Sequence, residues 1–251
     1  MNIKWNAEKY AKEFSFVPSY GEELISMLDK DTVHSVLDLG CGSGALTEKL
    51  AQEGFAVIGI DGSDAQLQLA RQSCPDILFL QKDATDFSLE SPVDAVFSNA
   101  VFHWINRENQ PVMLKCINKA LKKNGQLVFE CGGYKNADKI HSALRAEFEK
   151  RSLNYNFPNY FPTVEEYTEL LKNAGFKVVS SRLFDRPTPL KGENGLTDWI
   201  NMFVKVPFYG ISDKVKDEII SNAVEKLRQT MYKDGVWTAD YVRLRCKAIK
   251  I

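Results

Sequence analysis

The segment that most restricts this 251-residue chain is Val36-Leu37-Asp38-Leu39-Gly40-Cys41-Gly42-Ser43-Gly44, an apolar run that feeds directly into three alternating glycines. A buried strand, a tight turn and a helix from Ala45 to about Gln52 is the reading. Glycines in such a turn let a ligand approach the backbone. The helix start beyond them offers unpaired N–H groups and partial positive charge.

The pattern then repeats. Phe55 to Ile60 reads as a second strand, and Ser63 caps a helix through Gln72. Ile77–Leu80, Val93–Ser98 and Gln126–Cys131 are the third to fifth strands, the last preceded by a helix from Gln110 to about Lys122 that ends at Asn124-Gly125. Short apolar runs alternating with amphipathic stretches are how parallel strands joined by crossover helices appear in sequence, so an α/β fold follows. Beyond residue 133 come a helix over 137–151 and an aromatic loop, Asn154 to Pro162. Thr163 and Glu166 form a capping box for a helix ending near Ala174-Gly175, and Phe176–Phe184 is a sixth strand. Asp185–Gly195, with its prolines and glycines, reads as a linker before helices at 196–204 and 212–231. Asp240–Ile251 alternates as a last strand, with Arg243, Arg245 and Lys247 on one face. That basic face conflicts with a strand covered on both sides, unless the side chains snorkel or meet acids.

Composition narrows the function. With 32 Lys plus Arg against 33 Asp plus Glu, the chain carries no broad basic footprint for nucleic acid or anionic lipid. No apolar run reaches membrane-spanning length, and no signal-peptide pattern opens the sequence. Five scattered cysteines without a Cys-x-x-Cys pair suit a reducing compartment, so a cytoplasmic protein is expected. The three histidines form no zinc motif, and His34 and His141 read as structural.

Gly40, Gly42 and Ala45 also satisfy a dinucleotide fingerprint, which keeps an NAD(P)-dependent oxidoreductase as a rival. Asp38 favours another ligand. A carboxylate two residues before the first glycine repels a pyrophosphate by several kcal/mol at an effective dielectric of about 20 and attracts a cation. A ligand with a cationic and an anionic end describes the amino-acid part of S-adenosylmethionine. Asp61, 21 residues after Gly40 at the second strand's end, is placed to accept from ribose hydroxyls, and Asp83-Ala84 lies next along the same edge.

These residues carry a resemblance. Leu37–Gly44, Val57–Ser63, Asp94–Trp104 and Leu121–Phe129 resemble class I S-adenosylmethionine-dependent methyltransferases of the trans-aconitate methyltransferase-like group. The resemblance implies a Rossmann-like, mainly parallel seven-stranded sheet with an antiparallel last strand and helices on both faces. It implies S-adenosylmethionine as cofactor, held by Asp38, Gly40, Cys41, Gly42, Gly44, Asp61, Gly62, Asp83, Ala84, Asn99 and Ala100. Gln66 stands where many relatives place an apolar residue against the adenine. A single domain over 1–251 is expected, with an amino-terminal lid over 1–30 and a helical substrate cap over 186–237. Tyr10, His103, Trp104, Arg186 and Trp199 are the candidate substrate contacts, with Arg182 and Lys205 as further anion anchors.

The implied reaction is displacement at an already activated sulfonium methyl, for which positioning supplies much of the rate. A carboxylate acceptor needs no base, whereas a hydroxyl or amine acceptor would need one, and His103 is the histidine placed to serve. The leading expectation is a small-molecule acceptor of the carboxylate class. The alternatives are O- or N-methylation with His103 as base, and a non-catalytic cofactor-binding module. Monomer and homodimer both remain open.

Overall fold

The computed structural model describes residue 21 and residues 23–251. Within them the strands are β1 (Ser35–Leu39), β2 (Ala56–Asp61), β3 (Leu78–Gln81), β4 (Val93–Asn99), β5 (Leu121–Gly132), β6 (Phe176–Leu190), β7 (Tyr232–Lys233) and β8 (Val236–Lys250). They form one sheet in the order β3-β2-β1-β4-β5-β8-β6, with β7 on β8 only. β1 to β5 are parallel and the last strands antiparallel, as the sequence led one to expect. Chain order reverses between β1 and β4, and sheets of this kind bind ligands in the crevice beyond the carboxyl ends of the strands at such a reversal.

The helices are α1 (Ala45–Gln52), α2 (Asp64–Ser73), α3 (Gln110–Ala120), α4 (Asp138–Glu149), α5 (Val164–Asn173), α6 (Gly195–Phe203) and α7 (Asp213–Met231). Ser63 Oγ accepts the Gln66 N–H at the start of α2, and Thr163 and Glu166 complete the capping box of α5. Strand alternation divides the core. Val36, Ala95, Phe97 and Val128 turn to one face, with Leu46 and Leu50 of α1. Leu37, Leu39, Val96, Leu127 and Phe129 turn to the other, with Met113, Leu114 and Ile117 of α3 and Tyr167 and Leu171 of α5.

Three expectations are corrected. Asp185–Gly195 is not all linker, because β6 continues to Leu190. Its prolines sit on the terminal strand of the sheet and on exposed positions, while Thr188 between them and Leu190 after them are buried; edge strands tolerate proline because no ladder donor is needed on the outer side. The helix before β5 stops at Ala120, and Leu121 already pairs with Val93 before an irregularity that includes left-handed Asn124. The hairpin of β7 and β8 was not foreseen, although Asp234-Gly235, both with positive φ, is a two-residue hairpin signature.

The basic face of β8 does meet acids in part. Arg245 Nε donates to Glu130 Oε2 at 2.7 Å and its Nη2 to Glu23 at 3.1 Å, while Lys247 Nζ donates to the Met27 carbonyl.

The chain forms two compact units. The first comprises the described residues of Met1–Gly133 with Tyr160–Leu183 and Leu244–Ile251; the second comprises Tyr134–Asn159 and Phe184–Arg243. In the second unit α4 packs on α7, and the buried Glu147 carboxylate accepts from Lys150, Arg151 and Asn222, which holds its pKa down to about 2. Among the described residues, no helix is long and apolar enough to cross a membrane.

Candidate active site

The sequence candidates of the first unit converge on the carboxyl edge of β1 to β4. Asp38 lies one residue before the end of β1 and is buried at 2% exposure. Thr47 of α1 donates its hydroxyl to Asp38 Oδ2 at 2.6 Å. Desolvation raises the Asp38 pKa to about 7, against the lowering effect of that hydrogen bond and with a smaller push from Asp61. No cation among the described residues reaches it to within ion-pair distance. A buried carboxylate in that condition favours a cationic ligand.

The glycine turn is tied to the edge of β2. The Gly40 and Cys41 N–H groups both donate to the Ile60 carbonyl, at 2.7 and 3.0 Å. Gly40 has a φ of 77°, and a Cβ there would strike the Val101 side chain at 2.2 Å, so no other residue fits. Gly44, also left-handed, precedes α1. Among the described residues, a Cβ added at Gly42 would meet only Gln66 Oε1, at 3.9 Å. That Gln66 oxygen is enclosed and has no hydrogen-bond partner. The Cys41 thiol is buried and its pKa pushed up, so it is inert lining.

Asp61 closes β2. Its Oδ2 accepts the Gly42 N–H at 2.9 Å and its Oδ1 the Ser63 N–H at 2.8 Å, so it organises the turn as well as facing the ligand edge. Burial raises its pKa, opposed by the backbone donors of Ser63, Gly42 and Gly62. Asp83 follows β3 and spends Oδ1 on the Thr85 N–H and hydroxyl, an arrangement that lowers its pKa. Ala84 packs partly into the core. Asn99 ends β4, and Ala100 turns left-handed with its N–H on the Glu130 carbonyl at 2.7 Å. Strained backbone of this kind persists where its surroundings enforce it.

His103 sits on a short 3₁₀ turn, Phe102–Trp104, at 7% exposure. Its Nδ1 accepts the Gly132 N–H at 3.1 Å, and its carbonyl accepts the Tyr160 N–H. The Trp104 and Phe161 rings flank it at 5.1 and 5.9 Å, and Trp104 Nε1 donates to the Ala100 carbonyl. Two residues that the sequence did not single out fix this turn. Gln110, fully buried at the start of α3, donates to the carbonyls of Phe102 and Ile105 and accepts from the Tyr167 hydroxyl. Gly132 supplies the N–H that orients the imidazole. A lone glutamine before proline carries no such signal in sequence, and neither does a backbone amide.

Trp199 and Arg186, the other described substrate candidates, belong to the second unit. Tyr10 lies outside the described residues. Trp199 is a core residue of the second unit at 4% exposure, with Nε1 hydrogen-bonded to the Tyr241 hydroxyl. Arg186 lies over the Phe184 ring, and Arg182 is exposed. Burial and nearby Lys216 lower the pKa of Lys205. His141 is structural, as expected: buried beside Tyr155 and Phe157, with its pKa lowered to about 3.

Residues 36–125 match the model of a family described as "Methyltransferase domain". An uncharacterized methyltransferase of Schizosaccharomyces pombe is 33% identical over 98% of this chain and 98% of its own. The chain belongs to the class I S-adenosylmethionine-dependent methyltransferases. A trans-aconitate 2-methyltransferase of Enterobacter is 28% identical over 69% of each chain. The solved S-adenosylmethionine-dependent methyltransferase of Mesorhizobium loti superimposes with a TM-score of 0.55 at 17% identity, covering 91% of this chain and 96% of its own, which supports the fold. The oxidoreductase reading falls with this membership.

The residues present fit the methyltransferase cofactor. Among the described residues, a buried carboxylate without a cation suits its ammonium, the room left beside Gly42 suits its nucleoside half, and the enclosed Gln66 oxygen lacks a donor.

Proposed function

We propose that this methyltransferase acts on a small carboxylic acid, forming a methyl ester. The observation that carries the reading is the hydrogen bond from Gly132 N–H to His103 Nδ1. A backbone N–H can only donate, so Nδ1 keeps its lone pair toward Gly132 and the neutral ring carries its proton on Nε2. A histidine in that tautomer donates from Nε2 and does not take a proton there. An acceptor that is already an anion needs no base, whereas a hydroxyl or ammonium group does. The names of relatives such as the Enterobacter trans-aconitate 2-methyltransferase support the same class.

When bound, S-adenosylmethionine supplies an activated methyl on a sulfonium centre. The chain's residues do the rest by binding and orientation. Asp38 holds the ammonium, Asp61 accepts from the ribose hydroxyls while keeping Gly42 in place, and Asp83 Oδ2 remains for the adenine amino group. Asn99 and Ala100 line the edge beside them. His103, through Nε2–H, positions an acceptor oxygen and disfavours a protonated one, and Trp104 walls that side from water. The amino-terminal lid expected over residues 1–30 falls largely outside the described residues.

The test is an acceptor panel of di- and tricarboxylates, phenols, alcohols and amines, incubated with cofactor bearing a deuterated methyl group and read by mass spectrometry. Alkali-labile labelled esters from carboxylates, trans-aconitate among them, are expected. Labelled products confined to ethers or amines would refute the carboxylate reading, and no product with any acceptor would favour a binding module.

A further inference from the structure

In the second unit, β8 holds a buried cation that meets no acid among the described residues. Arg243 is 7% exposed. Its Nη1 donates to Asn136 Oδ1 at 3.4 Å, an oxygen that also accepts the Val242 N–H at 3.1 Å, and its guanidinium lies 4.3 Å from the Tyr241 ring centre. Among the described residues no carboxylate lies within ion-pair distance of it, in contrast to Arg245 two residues on. An arginine so buried is ordinarily paired, because an uncompensated charge away from water is costly. One long hydrogen bond to a shared neutral oxygen leaves most of five N–H donors unused.

The geometry is that of a prepared fork. None of the Arg243 nitrogens is among the enclosed, unsatisfied atoms of the described residues, so the unused donors face space that solvent enters. Tyr241 is itself fixed by its hydroxyl contact with Trp199 Nε1, and Trp199 packs on Phe203. A guanidinium held over an immobilised ring loses little further freedom when it grips a planar anion.

We propose that Arg243 is a carboxylate-binding residue, its guanidinium steadied by Tyr241 and Asn136 and taking a small organic acid in bidentate fashion. The inference rests on the carboxylic-acid reading above for the class of ligand. It differs from a packing role in one measurable respect: a packing arginine confers no preference for a charged ligand over its neutral ester.

The experiment is calorimetric titration of the full chain, saturated with S-adenosylhomocysteine, with trans-aconitate and with its trimethyl ester. Wild type should bind the acid more tightly than the ester. Arg243→Met should weaken acid binding about tenfold or more and leave the ester unchanged, and Arg243→Lys, which keeps charge and stem, should fall between them. S-adenosylhomocysteine affinity should be the same in all three. Acid binding unaltered in Arg243→Met, or in Arg243→Lys should the methionine variant not fold, overturns the inference and leaves the acceptor reading standing. Absence of acid binding by wild type overturns both.

Discussion

Gly132 N–H points at His103 Nδ1 from 3.1 Å, and this one contact decides what the imidazole can do. His103→Gln retains an N–H donor, whereas His103→Ala retains none. On a carboxylate acceptor, Ala should raise KM about ten- to a hundredfold, the scale of one hydrogen bond to a charged group, with kcat little changed and Gln between the two. Steady-state kinetics of both variants check this, and a loss in kcat of about a hundredfold or more would mark a base after all.

Asp38 links stability to pH. Its folded pKa is raised from 3.8 to about 7, so the stability that its neutral form contributes is complete below about 3.8 and is lost as pH rises through about 7. Asp38→Asn, which can still accept from Thr47, should therefore make the cofactor-free protein more stable at pH 8 by on the order of 2–4 kcal/mol, with little gain at pH 4. The same variant should bind S-adenosylhomocysteine at least about tenfold more weakly, since the cation loses its partner. Denaturant titrations at the two pH values, with calorimetry at pH 8, measure both effects; equal stabilities at pH 8 would contradict the assignment.

Asp61 has two tasks, and its variants should separate them. Asp61→Ala frees the Gly42 and Ser63 N–H groups as well as the ribose, and should weaken S-adenosylhomocysteine binding by roughly 1.5–3 kcal/mol. Wild type should prefer the ligand to its 2′,3′-dideoxy analogue, whereas Asp61→Ala should bind the two almost equally. If the variant still strongly disfavours the analogue, the ribose contact lies elsewhere.

The Glu130–Arg245 pair, at 2% and 5% side-chain exposure, ties β5 to β8. Arg245→Met takes the guanidinium away from a buried carboxylate and should cost about 3–5 kcal/mol, more than Lys122→Met at the more exposed Lys122–Asp94 pair, which should cost about 1 kcal/mol or less. Urea denaturation of the two variants provides the comparison, and equal losses would count against a desolvated pair.

Local chemistry explains which parts of this fold were legible in sequence. Helix starts at Ser63 and Thr163 and the glycine turn after β1 announce themselves, because capping and left-handed backbone demand particular residues. The carboxylates at the ends of β1, β2 and β3 follow once parallel strands are assigned. What stayed hidden depends on tertiary context. Pro187 and Pro189 look like breakers until β6 is known to be an edge strand, and Arg243 and Arg245 look alike until one finds Glu130 and the other only a ring and an amide. The orientation of the His103 ring is set by a backbone N–H 29 residues away, which no side-chain pattern encodes.

The most direct test of base-free methyl transfer is nitrogen-15 NMR of the histidine side chains, with His103 assigned by its loss in His103→Gln. A neutral ring protonated on Nε2, with Nδ1 bare and unchanged on adding S-adenosylhomocysteine, is the expected result. A ring protonated on Nδ1 would contradict it.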